Sequence, residues 1–97
     1  MTGAELRKAR MELRHVWGWD RAPNASELGR AMGTTAKDAG ELVRDCEARR
    51  DEPVPWYVES LVNTMLRGVL PTGGTPRRLY DLTVRRDRRR KRPRLAA

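Results

Sequence analysis

All of the net charge of this chain sits at one end, and that limits where a core can form. Residues 1–76 carry 11 Lys or Arg against 11 Asp or Glu, whereas from Arg77 onward ten basic residues face only Asp81 and Asp87. The whole excess of +8 in a 97-residue chain therefore belongs to its last stretch. Residues 85–94 are almost all Arg or Lys, and a run of like charge repels itself and stays solvated until it meets a polyanion. A folded unit must come from the neutral part, which is long enough for one small domain and too short for two.

Within that neutral part, apolar residues recur at helical spacing between clear punctuation. Thr2-Gly3-Ala4-Glu5 has capping-box spacing, and Leu6, Ala9, Leu13, Val16 and Trp17 follow on one face, predicting a helix over Gly3 to Val16. That leaves Arg7, Arg10, Glu12 and Arg14 for solvent. Trp17 to Pro23 reads as a loop pinned by an indole. Asn24-Ala25-Ser26-Glu27 is a second capping box, opening a short helix from Ala25 to Met32 that Gly33 ends by accepting a positive φ. A third helix is expected from about Thr35 to Arg49, burying Ala39, Leu42, Val43 and Cys46 and turning Lys37, Asp38, Glu41, Arg44, Asp45 and Glu47 outward.

Pro53-Val54-Pro55 is an extended connector, since each proline fixes its own φ and restrains the residue before it. Val58, Leu61, Val62, Met65, Leu66 and Val69 then give the longest helical period in the chain, with Gly68 where a C-cap belongs. Pro71 to Pro76 reads as a Pro/Gly linker. Tyr80, Leu82 and Val84 alternate with polar residues, the pattern of a short strand that folds back or pairs with a symmetry mate. The expectation is an all-α, small four-helix domain over residues 1–70, a linker over 71–76, and a basic C-terminal extension over 77–97 containing the short strand.

The order of these elements resembles a known family. Leu6-Arg7-Lys8-Ala9-Arg10, then Glu27-Leu28-Gly29-Arg30-Ala31-Met32-Gly33, then Pro53-Val54-Pro55 leading into an apolar helix, is similar to the XRE family of Cro and phage-repressor-type regulators of bacteria and phages. The resemblance covers about Thr2 to Leu70. It implies a lambda-repressor-like helix-turn-helix in which Gly29 is the small residue facing the next helix and Gly33 makes the turn. The physics agrees, because two short helices crossing steeply need a small residue at their contact and a tight turn between them. This chain differs from the family in the insertion holding Trp17, Trp19 and Pro23, and in having Leu42 or Cys46 where an aromatic is common.

The resemblance implies that Thr34, Thr35, Lys37, Asp38 and Glu41 lie nearest base edges, with Asn24 and Arg44 meeting phosphates. Arg85, Arg86, Arg88, Arg89, Arg90, Lys91, Arg92 and Arg94 are phosphate candidates by charge alone, since each neutralised phosphate releases counterions. The alternative for this run is a solubilising tail. Trp17, Trp19 and Trp56 suit packing in a domain that has no Phe, against stacking on bases as the sharper option.

Catalytic chemistry finds no constellation. His15 and Cys46 are each the only residue of their kind, which excludes a multi-cysteine metal site and an internal disulfide. Ser26 and Ser60 stand outside any nucleophile motif, and Gly73-Gly74 lacks the context of a phosphate-cradling loop. No enzyme, cofactor or metal is expected. The N-terminus is charged within a few residues, and no uncharged run approaches the ~18 residues of a membrane helix, so a cytoplasmic, nucleoid-associated protein is expected. The first expectation is a homodimeric repressor or autoregulator binding double-stranded DNA. The second, favoured by the balance of charge in the third helix, is an assembly protein whose helical domain binds protein while the tail binds RNA or packaged DNA.

Overall fold

In the computed structural model, which describes residues 1–34 and 38–81, α1 runs from Gly3 to Trp17. Its start is fixed locally: Thr2 Oγ1 accepts from the Glu5 N–H at 3.3 Å while the Glu5 carboxylate accepts from the Thr2 N–H at 3.3 Å. Gly18, with φ 69°, ends it by donating its N–H to the carbonyls of Arg14 and His15. Leu6, Ala9, Leu13 and Trp17 form the buried stripe, whereas Val16 is exposed. Helix α2 (Ala25–Ala31) begins with the second capping box, Asn24 accepting from Glu27 N–H at 2.8 Å and Glu27 from Asn24 N–H at 2.9 Å.

Helix α3 (Glu41–Ala48) starts later than its apolar spacing predicts. Asp38 Oδ1 accepts from the Gly40 N–H at 3.1 Å, a side-chain turn that competes with helix and moves the start to Gly40. Val43, Cys46 and the preceding Ala39 are buried as the spacing requires, and Leu42 is half-buried. Helix α4 (Trp56–Leu66) buries Val58, Val62 and Met65. Helical phase ends before Gly68, whose φ is 90°, so Val69 is exposed and Leu70 takes the inward place. Trp56, expected to pack, is 79% exposed because it opens α4 on its outer side.

The expected strand at Tyr80 is a helix, α5, over residues 76–81. Thr75 Oγ1 accepts from the Arg78 N–H at 3.2 Å and Pro76 occupies the first helical position, where its missing N–H costs nothing. Local capping outweighs a two-residue alternation, and Leu82 and Val84 lie outside the described residues. No strand occurs among the described residues, only an isolated bridge between Thr2 and Pro53.

Helix α1 is the central post, with α3 and α4 packed on it and α2 packed on α3. Leu6, Leu13, Leu28, Val43, Val58, Val62 and Met65 are fully buried where these elements meet. The first turn of α1 abuts the end of α3 so closely that a Cβ on Gly3 would overlap the carbonyl oxygens of Cys46 and Arg49. The orphan N–H groups of Gly3 and Ala4 donate to the carbonyls of Glu52 and Arg50, each at 3.1 Å. Arg10 and Glu47, expected in solvent, instead tie α1 to α3 through a two-pronged ion pair at 2.8 and 2.9 Å. No described helix is long and apolar enough to cross a membrane.

Candidate nucleic-acid interface

Helices α2 and α3 meet through a glycine. A Cβ on Gly29 would overlap the Ala39 carbonyl oxygen, so the small residue seen in the sequence faces the turn entering α3. Gly33 adopts φ 92°, and the Thr34 N–H returns to the Gly29 carbonyl at 3.1 Å, closing the end of α2. Helix α2 ends at Ala31 and α3 begins at Glu41, further apart in sequence than the three or four residues of a minimal helix-turn-helix turn. With Val43 and Cys46 turned inward, α3 leaves Glu41, Arg44, Asp45 and Ala48 exposed.

Thr34 is half-buried after Gly33, while Asp38 and Glu41 are exposed at the start of α3. Asp38 and Arg44 are brought together as an ion pair, each side chain about half exposed. The Arg44 guanidinium holds the Asp38 carboxyl below its ordinary value, with help from the Gly40 N–H. Asn24 is exposed, its side-chain oxygen engaged in capping α2. Thr35, Lys37, Arg85, Arg86, Arg88, Arg89, Arg90, Lys91, Arg92 and Arg94 lie outside the described residues.

A second feature was not legible as a unit: the aromatic latch that docks α5. Trp19 lies 5.0 Å from Trp17 and 5.1 Å from Tyr80, the latter edge-on at 72°. The Arg21 guanidinium stacks on Trp19 at 5.5 Å and on Tyr80 at 5.4 Å. Arg21 also donates to both oxygens of Glu27, at 2.6 and 3.1 Å, and that bond to a carboxylate 1% exposed raises the guanidinium's pKa. The neighbouring Asp20 carboxylate, more than any other group, raises the Tyr80 phenol above its ordinary value. The indole N–H groups of Trp17 and Trp19 are buried without an acceptor among the described residues, so ring packing and cation stacking hold the latch. Contacts thus run from the root of the basic extension through Arg21 and Glu27 to the first turn of α2. The signal for this in the sequence was the Trp-x-Trp-x-Arg spacing, which has no helical or strand period.

Other chemistry is sparse. Burial pushes the Cys46 thiol up, which keeps it protonated and unreactive. Among the described residues no three His, Cys, Asp or Glu side chains gather as a metal site. A shallow cleft of about 460 Å³ beside the latch is walled by Trp17, Trp19, Asp20, Arg77 and Tyr80. The arrangement defines a class: a small helical domain whose last described helix, α5, leads into a cationic sequence. No family model, curated protein or solved structure matches the chain.

Proposed function

We propose that the protein is a sequence-specific DNA-binding transcriptional regulator, a homodimeric repressor or autoregulator, in which α2 and α3 form a helix-turn-helix and the basic extension supplies phosphate contacts. One observation carries the reading: the turn entering α3 is seated on α2 at Gly29, with the outer face of α3 unburied, while the entire charge excess lies in the extension. Such a division separates base readout from phosphate attraction. One short helix reads few base pairs, and two copies spaced about one turn of DNA, roughly 34 Å, multiply selectivity.

Fluorescence anisotropy of the full chain against a duplex from its own upstream region and a scrambled duplex, across a salt series, tests this. A preference above about tenfold, or 1.4 kcal/mol, supports readout. Equal binding to both duplexes with a steep salt slope refutes it. That second outcome favours the assembly reading, in which the domain binds another protein and the extension grips RNA or packaged DNA. The observation on its side is Trp56, 79% exposed next to Tyr57 at 44%, an aromatic pair of the kind that anchors protein interfaces.

A further inference from the structure

The outer face of α3 is poorly suited to phosphate. Of its exposed residues Glu41, Arg44, Asp45 and Ala48, only Arg44 is cationic, and Asp38 stands exposed just ahead of the helix. On this face three carboxylates surround one guanidinium, the exposed Arg49 and Arg50 following only past the helix's end, and that local balance repels a polyanion's backbone. Arg44, moreover, is not a loose side chain: its Nη2 is ion-paired to Asp38 Oδ2, and Asp38 is itself fixed by the Gly40 N–H at 3.1 Å.

A guanidinium has five N–H donors in a rigid planar fork, and Asp38 uses one of its terminal nitrogens. Arg44 Nη1 lies over Gly40 beside Ser26, and the N–H groups that Asp38 leaves unused suit a planar pair of acceptors. In the major groove guanine offers that pair, O6 and N7, and the other three bases do not. We infer that Asp38 and Arg44 act as one unit that reads guanine, the carboxylate holding the guanidinium in a presenting rotamer and opposing its capture by phosphate. This rests on the regulator reading and deepens it. Arg44 then belongs with base readout, and backbone attraction falls to the extension. The ordering entropy of a long side chain is met within the protein before DNA arrives, which favours selectivity over raw affinity.

The test is selection of bound duplexes from a random pool by the full chain, the Asp38→Ala variant and the Arg44→Lys variant, followed by sequencing. Both positions are about half exposed, so the fold survives substitution, and far-UV circular dichroism checks that it does. The wild-type pool should show a guanine-enriched position. Arg44→Lys should lower that enrichment by about fivefold or more, since lysine lacks the fork. Asp38→Ala should lower it too, while affinity for scrambled duplex holds or rises and enrichment at other positions persists. Base preferences that are unchanged in both variants overturn the Asp38–Arg44 assignment and leave the regulator reading standing. A wild-type pool with no preferred base at any position overturns both.

Discussion

Replacing Arg10 with alanine removes the tie between α1 and α3 and strands a carboxylate. Arg10 donates from Nε and Nη2 to the two oxygens of Glu47, at 2.8 and 2.9 Å, and from Nη1 to the Pro23 carbonyl at 2.9 Å. The two side chains are only 16% and 12% exposed. Leaving Glu47 unpaired in that setting costs about 3 kcal/mol, the low end for a broken buried pair because some water still reaches it. Losing the bond to the Pro23 carbonyl adds about 1 kcal/mol. The loss of about 4 kcal/mol is a large share of the total stability of a domain this small, which is on the order of 5–10 kcal/mol. Urea unfolding followed by far-UV circular dichroism measures it. The Arg10→Met, Glu47→Leu double variant, which removes both charges and keeps volume, should recover half of the loss or more. An Arg10→Ala loss under about 1 kcal/mol would show the pair to be solvated. A double variant no more stable than Arg10→Ala would show that packing, not stranded charge, was at stake.

Three further outcomes are expected. Gly29→Ala forces a Cβ into the Ala39 carbonyl oxygen and should cost more than about 3 kcal/mol or abolish folding, seen as a lowered or absent thermal transition, because backbone on both sides must separate. The Asp38 carboxyl should titrate below 3.8 by carbon-detected NMR and move up in Arg44→Gln. Its folded pKa is depressed, so the ion pair contributes above the unfolded value and is lost as pH falls through the folded one. The Tyr80 phenol should titrate above 10.0 by ultraviolet difference absorbance, and less so in Asp20→Asn. With a raised folded pKa, the latch is complete at neutral pH and loosens as pH rises through that value, which near-ultraviolet dichroism of Trp19 should report.

What the sequence made legible was short-range. Both capping boxes are four-residue patterns whose partners are fixed by spacing, so Thr2 with Glu5 and Asn24 with Glu27 fell where spacing put them. The roles of Gly29 and Gly33 followed from the steep crossing and the turn that the resemblance implied. Long-range pairings were hidden, because Arg10 and Glu47 are 37 residues apart and each alone looks like a solvated charge. The start of α3 was misplaced because periodicity does not register a side chain such as Asp38 competing for a backbone N–H. The strand expected at Tyr80 rested on alternation over a few residues, too little to outweigh the Thr75-Pro76 helix start and a ring contact to Trp19. As for the candidate site, charge placed the extension and the resemblance placed α3, but neither could reveal that Asp38 and Arg44 satisfy each other.

The capping of α1 by the carbonyls of Arg50 and Glu52 governs how the chain folds. A helix's first turn is its costliest step, and here two of that turn's amides find acceptors only when residues some 46 or more positions later have arrived. Gly3 likewise needs the end of α3 in place before its close approach means anything. Helix α1, the α2–α3 pair and the connector to α4 therefore form in one cooperative event. A fragment ending before Arg50, which lacks both acceptors, should be largely unstructured, and α2 with α3 is not a unit that can be grafted elsewhere alone.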